Sequence, residues 1–274
     1  MRPAFFEGKM IKFATLFSGS SGNCTAMWNE GGLILIDFGV STRRIVNALY
    51  GLGLAASDVS AVLITHEHSD HISGIRVFLS HYHVPVYCTK QTADYLWNNG
   101  SFSPDQEVRL FSSDDIFDIG PFKVSAFRTS HDSKTCHGFR VESGDARVAL
   151  ATDIGNMDDT VYSYLSGCEI VALESNYDEY MLRHGPYPLE LQARISSGSG
   201  HLSNKKCSSA VARLVRDGTK HVMLMHLSKD NNKPEIAVMA CRSAMENAGL
   251  SDGDCEIAAA PRSESSDVWE AGTC

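Results

Sequence analysis

The sequence predicts an α/β (α+β) protein in which two mixed β-sheets pack together and helices flank them. Two observations favour this fold class. Strand-like apolar runs dominate each half of the chain, and amphipathic helices interrupt them without alternating strictly. The length of 274 residues and the apolar content of 43% are also sufficient for a large buried core. No proline- or serine-rich linker divides the chain, so we expect one domain over residues 10–274.

In the first half, short apolar runs predict strands and amphipathic segments predict helices. Residues 61–65 (AVLIT) form a continuous apolar run, as in a strand that is buried on both faces. Ser41 precedes a segment with apolar side chains at helical spacing and is placed to cap a helix. The predicted order is strand 13–17, hairpin 24–28 and 33–38, helix 42–52, strand 61–65, helix 74–82, strand 84–88 and helix 91–98.

The second half predicts two hairpins and two clear helices. Gly120-Pro121 and Ser143-Gly144-Asp145 are turn sequences. Pro234 stands near the start of the last helix, where proline is tolerated. The predicted order is strands within 117–129 turned at 120–121, hairpin 139–141 and 148–151, strand 170–173, helix 204–216, strand 221–225 and helix 234–248.

Composition argues against several classes of protein. No stretch approaches the roughly 18 consecutive apolar residues of a transmembrane helix. The N-terminal sequence MRPAFFEGKMIKF lacks the apolar run and cleavage site of a secretory signal. The eight cysteines contain no C-x-x-C pair and resemble neither a zinc ribbon nor a disulfide framework. We therefore expect a cytoplasmic protein with reduced, buried thiols and no membrane contact.

The formal net charge of −9 is unevenly distributed. Residues 180–233 contain nine Lys or Arg against three acids (+6), so the rest of the chain carries −15. Such a segment is either a solvated helical face or a surface for a polyanion such as nucleic acid.

The strongest chemical signal is THEHSDH at residues 65–71, directly after a buried apolar run. Four potential metal ligands fall within six positions: His66, His68, Asp70 and His71. Neutral imidazole and carboxylate groups suit Zn²⁺, Mn²⁺ or Fe²⁺. One tetrahedral ion cannot easily use four ligands from so short a loop. Two adjacent ions that share the loop are therefore the simpler arrangement.

Further candidate ligands stand at the ends of apolar strands. They are His131 in FRTSHD, Asp153 in ALATDIG and His226 in VMLMHLS. A carboxylate at the end of a buried strand is costly unless a cation compensates its charge. The repeated placement at strand ends favours all three as ligands of one site. His137, close to His131 in the sequence, is an alternative ligand.

The motif H-x-H-x-D-H followed by distant His, Asp and His resembles the metal motifs of the metallo-β-lactamase-fold hydrolases. The wider pattern is similar to one branch, the YycJ (WalJ) family of exonuclease-like bacterial metallohydrolases. SGSSGN together with GHLSN and HLS-x-x-NN is the part specific for this branch. The matching stretches are SGSSGNC (18–24), LIDFG (35–39), LITHEHSDH (63–71), TSHD (129–132), ATDIG (151–155), ESN (174–176), GHLSN (200–204) and MHLSKDNN (225–232).

The resemblance implies a four-layer αββα metallo-β-lactamase fold and a dinuclear-metal hydrolase, most simply a phosphodiesterase or exonuclease acting on DNA or RNA. The two ions would be Zn²⁺ or Mn²⁺, with Fe²⁺ as a further option. The implied ligands are His66, His68 and His131 for the first ion, Asp70, His71 and His226 for the second, and Asp153 as a bridge between them. Residues 1–9 precede the matching region and are interpreted as an N-terminal extension or expression remnant.

Other residues are predicted to serve the reaction and the substrate. Asp70 and His201 are the predicted catalytic residues, with His201 protonating the leaving oxygen. Asp37 would support the metal loop by accepting a hydrogen bond from a ligating histidine. A glycine-rich loop and a helix N-terminus can both hold phosphate. The predicted substrate-binding residues are accordingly Ser20, Asn23, His201, Ser203 and Asn204. The family commonly reads ESNHD where this chain has Tyr177, which puts any role of that histidine in doubt.

Two alternatives to a nuclease remain open. One is a small-substrate metallohydrolase acting on a thioester, lactone, β-lactam or cyclic nucleotide, which the overall acidity favours slightly. The fold alone cannot choose the substrate. The other is a catalytically silent, metal-stabilised regulatory protein, although a full set of ligands argues for activity. The oligomeric state is not predicted.

Overall fold

The structure is a computed structural model that describes residues 10–133 and 135–272. Its strands form two seven-stranded sheets, each with parallel and antiparallel pairs. The segment 1–9 lies outside the described residues. The division of the chain into an extension and a single domain therefore stays a prediction.

Strands of the first sheet come from the N-terminal half, with one addition from the C-terminus. They are β1 (Ile11–Phe17), β2 (Cys24–Asn29), β3 (Gly32–Ile36), β4 (Val59–Leu63), β5 (Val86–Cys88), β6 (Val108–Leu110) and β14 (Trp269–Ala271). Those of the second sheet are β7 (Ile116–Ile119), β8 (Phe122–Thr129), β9 (Cys136–Ser143), β10 (Ala146–Ala151), β11 (Ile170–Glu174), β12 (His221–Met225) and β13 (Glu256–Ala259).

The helices lie between the strands in sequence. They are α1 (Thr42–Gly51), α2 (Ser69–Ile72), α3 (Ile75–Leu79), α4 (Lys90–Asn98), α5 (Asp159–Leu165), α6 (Glu179–His184), α7 (Leu189–Ser196), α8 (Asn204–Arg216) and α9 (Pro234–Asn247), with a 3₁₀ turn at Ala56–Asp58. Among the described residues, no helix has the length and apolar character needed to cross a membrane.

Three apolar layers hold the sheets and helices together. Between the sheets, fully buried side chains such as Phe13 and Met27 pack in one cluster with Phe139 and Val148 of the opposite sheet. A second cluster joins the outer face of the first sheet to α1, α3 and α4, and a third joins the second sheet to α5, α8 and α9. This arrangement confirms the predicted αββα sandwich.

Both sheets follow the same pairing order. The first runs β14-β1-β2-β3-β4-β5-β6 and the second runs β7-β8-β9-β10-β11-β12-β13. In each, the first three pairs are antiparallel and the last three are parallel. The pairing therefore changes at β3 in one sheet and at β10 in the other. In sheets with parallel strands, ligands commonly bind in a crevice beyond the carboxyl ends of the strands.

The sequence located most elements but missed several short ones. The helix predicted over 74–82 is only the five-residue α3, preceded by the one-turn α2 inside the histidine motif. Helices α5, α6 and α7 and strands β6, β13 and β14 were not predicted. Helix α7 has no buried residue, so its sequence carries no strong apolar stripe. The missed strands have only three or four residues, too few for a clear alternation.

Candidate metal centre and catalytic cleft

The site is built at the carboxyl ends of strands. Asp37 follows β3, His66 follows β4, Asp153 follows β10 and His226 follows β12. Asp37, Asp153 and His226 have positive φ values of 62°, 53° and 54°. Asp and His enter this left-handed region more readily than most residues, and such backbone strain clusters at functional sites. The sharp turn after each strand directs the side chain into the crevice between the sheets.

The seven candidate ligands lie around one cleft, six of them in two groups of three and Asp153 between the groups. In the first, ligand atoms of His66, His68 and His131 lie within 4.8 Å of one another. The same limit holds for the second group: Asp70, His71 and His226. These are the two ligand sets that the family resemblance implies.

Asp153 stands between the two groups. Its Oδ1 lies 3.6 Å from Nε2 of His131, and its Oδ2 lies 3.1 Å from Nε2 of His71. The two carboxylate oxygens thus face different groups, as a bridging ligand requires. Asp153 is only 2% exposed, so a cation there would offset the cost of burying its charge.

Hydrogen bonds at Nδ1 orient the histidine rings. His71 Nδ1 donates to Asp37 Oδ2 (2.7 Å), His131 Nδ1 to the Gly200 carbonyl (3.0 Å) and His226 Nδ1 to Glu174 Oε1 (2.9 Å). Carboxylates and carbonyls accept only, so each Nδ1 carries the proton. With a metal ion bound, each ring would be neutral and would present its Nε2 lone pair to the cleft, the arrangement typical of metal-ligating histidines.

Thr65 extends this support to His66. Its hydroxyl donates to Asp37 (2.9 and 3.0 Å), which leaves its oxygen free to accept from His66 Nδ1 at 3.0 Å. Asn23 adds a further contact, since its Nδ2 donates to Asp70 Oδ2 (3.3 Å) and lies 3.1 Å from His71 Nε2. The loop backbone is equally tight, because a Cβ on Gly39 would lie 1.7 Å from the Asp70 carbonyl oxygen.

Two buried nitrogens show that the pocket fits cations. Nε2 of His66 and Nε2 of His226 are inaccessible to solvent and make no hydrogen bond. Buried polar atoms without a partner are rare and costly. Imidazole and carboxylate donors grouped within a few ångströms are the set that zinc, manganese and iron(II) prefer. The residues present therefore fit a divalent-metal centre.

The electrostatics of the cleft also favour positive charge. Burial alone would lower the pKa of His71, but Asp37 and Asp153 raise it well above its usual value. Burial opposes charge on His226 as well, yet the neighbouring carboxylates of Asp153, Asp70 and Glu174 raise its pKa to about 10. Burial and the neighbouring His71 hold the pKa of His66 well below its usual value, so that ring is neutral as a ligand must be.

Glu174 is a further candidate site residue, which sequence reasoning did not assign. Fully buried at the end of β11, it accepts from His201 Nδ1 (2.8 Å) and His226 Nδ1 (2.9 Å) through Oε1. The backbone N–H groups of Ile154 and Leu202 donate to its Oε2. It thereby couples a candidate ligand to the candidate proton donor. Its position after the apolar run IVAL follows the same strand-end rule that identified Asp153.

His201 reaches the cleft beside the two groups. Its side chain is 21% exposed, and its Nδ1 donates to Glu174, which leaves Nε2 as the second titratable position. Burial would lower the pKa of His201, but the Glu174 carboxylate raises it. The raised pKa favours the protonated form of this ring.

The predicted substrate-binding residues other than His201 lie in different surroundings. Ser20 is exposed and lines the cleft. Ser203 Oγ caps α8 by accepting from the Lys206 N–H, and the buried Asn204 side chain bonds to Ser175 and Asn232. With Asn23, these two act as supports in our interpretation, and contact of their side chains with substrate stays a prediction.

His137 and Tyr177 lie away from the cleft. Nε2 of His137 lies 3.0 Å from the Ser113 hydroxyl, and the residue belongs to none of the ligand groups formed by the described residues. Tyr177 is buried and lines a separate groove with α6 and α7 residues. Tyr177 is therefore not among the residues that line the cleft.

Cations of the basic segment line several different grooves. Of its nine cations, Arg194 lines the catalytic cleft, which has a volume of about 260 Å³. Lys205, Lys206 and Arg213 line a different groove beside α8. Thirteen residues line the cleft: Ser20, His68, Asp70, His131, Asp132, Asp153, Tyr187, Leu191, Arg194, Ile195, Gly200, His201 and His226.

Comparison with known proteins agrees with this fold and site. The family model described as "Metallo-beta-lactamase superfamily" matches residues 18–225. YhfI of Bacillus subtilis, described as a metallo-beta-lactamase fold protein, superposes with a TM-score of 0.71 at 18% identity, covering 96% of this chain and 99% of YhfI. The fold and the site thus define a member of the metallo-β-lactamase superfamily of hydrolases.

Two relatives place the chain in one family of this superfamily. "Exodeoxyribonuclease YycJ" of Bacillus anthracis is 35% identical over 249 residues, which cover 89% of this chain and 92% of the relative. "Exodeoxyribonuclease WalJ" of Streptococcus pneumoniae is 33% identical over 246 residues, which cover 89% and 91%. The chain belongs to the YycJ/WalJ family.

Proposed function

We propose that the protein is a dinuclear-metal exodeoxyribonuclease that cleaves phosphodiester bonds at the end of a DNA strand. The observation that carries this proposal is the pair of ligand groups that share Asp153 beside His201. The names of its YycJ and WalJ relatives support DNA as the substrate. The buried, free cysteines of the described residues are consistent with action in the reducing cytoplasm.

The metal ions proposed are two Zn²⁺ or Mn²⁺. His66, His68 and His131 would hold one, Asp70, His71 and His226 the other, and Asp153 both. Such a pair supplies Lewis acidity and water activation for hydrolysis of a phosphodiester at neutral pH. Asp37, Thr65 and Glu174 fix the ring orientations, which holds the lone pairs in place before substrate arrives.

We assign the proton transfer to the leaving oxygen to His201. Its Nε2 faces the cleft because Nδ1 is held by Glu174. The protonated ring donates to the oxygen that leaves the phosphorus, and Glu174 stabilises the charged ring before transfer. The small cleft volume supports a substrate that enters by its end, one nucleotide at a time.

The proposal is tested by incubating Mn²⁺- or Zn²⁺-loaded protein with DNA strands labelled at one end. We expect mononucleotides or short products to accumulate from one end, with RNA of the same sequence cleaved more slowly. A panel of a thioester, a lactone and a cyclic nucleotide measures the small-substrate alternative. Cleavage of a panel member without cleavage of DNA contradicts the proposal, and no turnover with any divalent ion favours a regulatory protein.

Removal of the ions is expected to destabilise the protein. At a metal concentration a thousandfold above Kd, binding contributes about 4 kcal/mol, so chelation should lower Tm by about 10 °C. His226→Asn should lose most of this metal-dependent shift, since Asn tolerates the positive φ but removes the ligand. His184→Asn, an exposed histidine on α6, should keep it. Calorimetric melts with and without EDTA measure the effect, and a shift that is equal in both variants would contradict the ligand assignment.

A further inference from the structure

Helix α7 presents an apolar surface to the catalytic cleft. Although none of its residues is buried, Leu191 and Ile195 lie one helical turn apart and both line the cleft. Tyr187, just before the helix, lines the same wall and donates its hydroxyl hydrogen to Asp230 (2.9 Å). The cleft therefore has an apolar, partly aromatic wall next to its polar ligand groups.

This wall is fixed to the site through a close backbone contact. A Cβ on Gly200 would lie 2.2 Å from the carbonyl oxygens of both Arg194 and Ile195, so only glycine allows α7 to end this close. The His201 N–H donates to the Ile195 carbonyl (2.9 Å), and His131 Nδ1 donates to the Gly200 carbonyl (3.0 Å). The position of α7 relative to both histidines is thus set by the chain itself.

Arg194 ends this wall and forms an ion pair that an anionic ligand could replace. Its Nε and Nη2 both contact Asp132 Oδ2, with Nε at 2.7 Å. The other oxygen, Asp132 Oδ1, lies 3.2 Å from His131 Nε2 and 3.7 Å from His68 Nε2. One carboxylate thus lies between the guanidinium and the first ligand group. A phosphate has the geometry to take that place on the guanidinium.

Exchange of the carboxylate for a phosphate costs little. The Arg194 side chain is 65% exposed, and ion pairs at such positions contribute little to stability. A phosphodiester carries the same single negative charge as the carboxylate and also offers two acceptor oxygens to the planar guanidinium.

We propose that this wall is a nucleotide subsite: Tyr187, Leu191 and Ile195 hold a base, and Arg194 holds a phosphate of the same DNA strand. The inference rests on the proposed function, because it takes a DNA strand as the occupant. Aromatic and apolar surfaces bind bases without sequence preference, which suits an enzyme that degrades any end. Arg194 and Tyr187 are then binding residues that determine which substrates reach the metal centre.

Binding of single-stranded DNA to the metal-loaded protein tests the phosphate contact. Phosphorothioate linkages resist cleavage, so fluorescence anisotropy of a labelled strand reports affinity alone. Arg194→Ala should weaken binding about tenfold and reduce the slope of log K against log salt by about one. The matched control is Arg183→Ala, an exposed arginine paired with Glu179 on α6 and outside the cleft, which should change neither quantity.

Strands with an abasic terminal unit test the base contact. Stacking predicts that the wild-type protein prefers the normal strand about fivefold or more. Tyr187→Ala should abolish this preference. Tyr187→Phe should keep it, because the ring remains and only the hydrogen bond to Asp230 is lost.

The outcomes separate the two proposals. Equal affinity and salt slope for Arg194→Ala and Arg183→Ala, or an unchanged base preference in Tyr187→Ala, overturns the subsite. Loss of bound metal in Arg194→Ala also overturns it, since Arg194 would then act through Asp132 on His131. If Arg194→Ala binds DNA more weakly with its metal retained, but the wild-type protein cleaves no DNA, the subsite stands and the proposed function fails.

Discussion

Asp153→Asn is expected to reduce DNA cleavage about a thousandfold or more and to remove at least one of the bound ions. Loss of a residue that merely supports a ligand typically costs 10–100-fold, and Asp153 faces both ligand groups directly. Asn is the informative replacement because it adopts the φ of +53° as readily as Asp, so the turn after β10 is kept. Metal content by mass spectrometry and kcat on end-labelled DNA measure the effect.

The control is Asp94→Asn, an exposed acid on α4 that pairs with Lys90 and should change neither metal content nor rate. Melting both variants in EDTA shows whether the fold survives the substitution. A folded Asp153→Asn protein that keeps two ions and wild-type kcat would contradict the bridging role.

The grouping of the candidate ligands around one cleft could be predicted because each of them stands at a position with a physical reason. THEHSDH concentrates four candidates in one loop, and Asp153 and His226 each end a run of apolar residues. An uncompensated polar group at such a position would be costly, so its presence is informative. Sequence spacing alone could not separate His131 from His137. In the structure His137 belongs to β9 and lies 3.0 Å from Ser113, whereas His131 lies in the preceding loop and turns into the cleft.

The site residues that sequence reasoning missed contact partners that are far away in the sequence. Glu174 meets His201 and His226 only because β11 and β12 are neighbours in the second sheet. Asp132 and Arg194 meet because α7 packs beside the loop after β8. A helix without a buried face gives no periodic signal, so neither α7 nor its cleft-facing residues could be predicted.

The matching order of the two sheets explains why Asp37 and Asp153 lie at the same site. Each follows the strand at which pairing changes from antiparallel to parallel, β3 in one sheet and β10 in the other. Each also has a positive φ, within IDFG and TDIG respectively. The similarity of these two short segments is the trace that the shared geometry leaves in the sequence. Asp153 faces both ligand groups, and Asp37 orients the His71 ring by accepting a hydrogen bond from His71 Nδ1.

His201→Ala is expected to lower kcat on DNA about a hundredfold to ten thousandfold, the usual contribution of a proton donor. The same variant should hydrolyse bis(p-nitrophenyl) phosphate at close to the wild-type rate, because nitrophenolate is stable enough to leave without a proton. A purely structural role for His201 would impair both substrates equally. Parallel measurement of kcat on the two substrates therefore distinguishes the roles, and an equal loss on both would contradict the assignment.

The pH dependence of kcat in Glu174→Gln tests whether His201 supplies this proton. Glu174 raises the pKa of His201, so its removal should lower that pKa. His201 must be protonated to donate, so the high-pH limb of kcat should move to lower pH in the variant and be absent in His201→Ala. Because Glu174 also holds His226, kcat is compared at full metal loading. A high-pH limb that stays in place would mean that another group controls the proton, and the coupling of Glu174 to His201 would then serve only to position the ring.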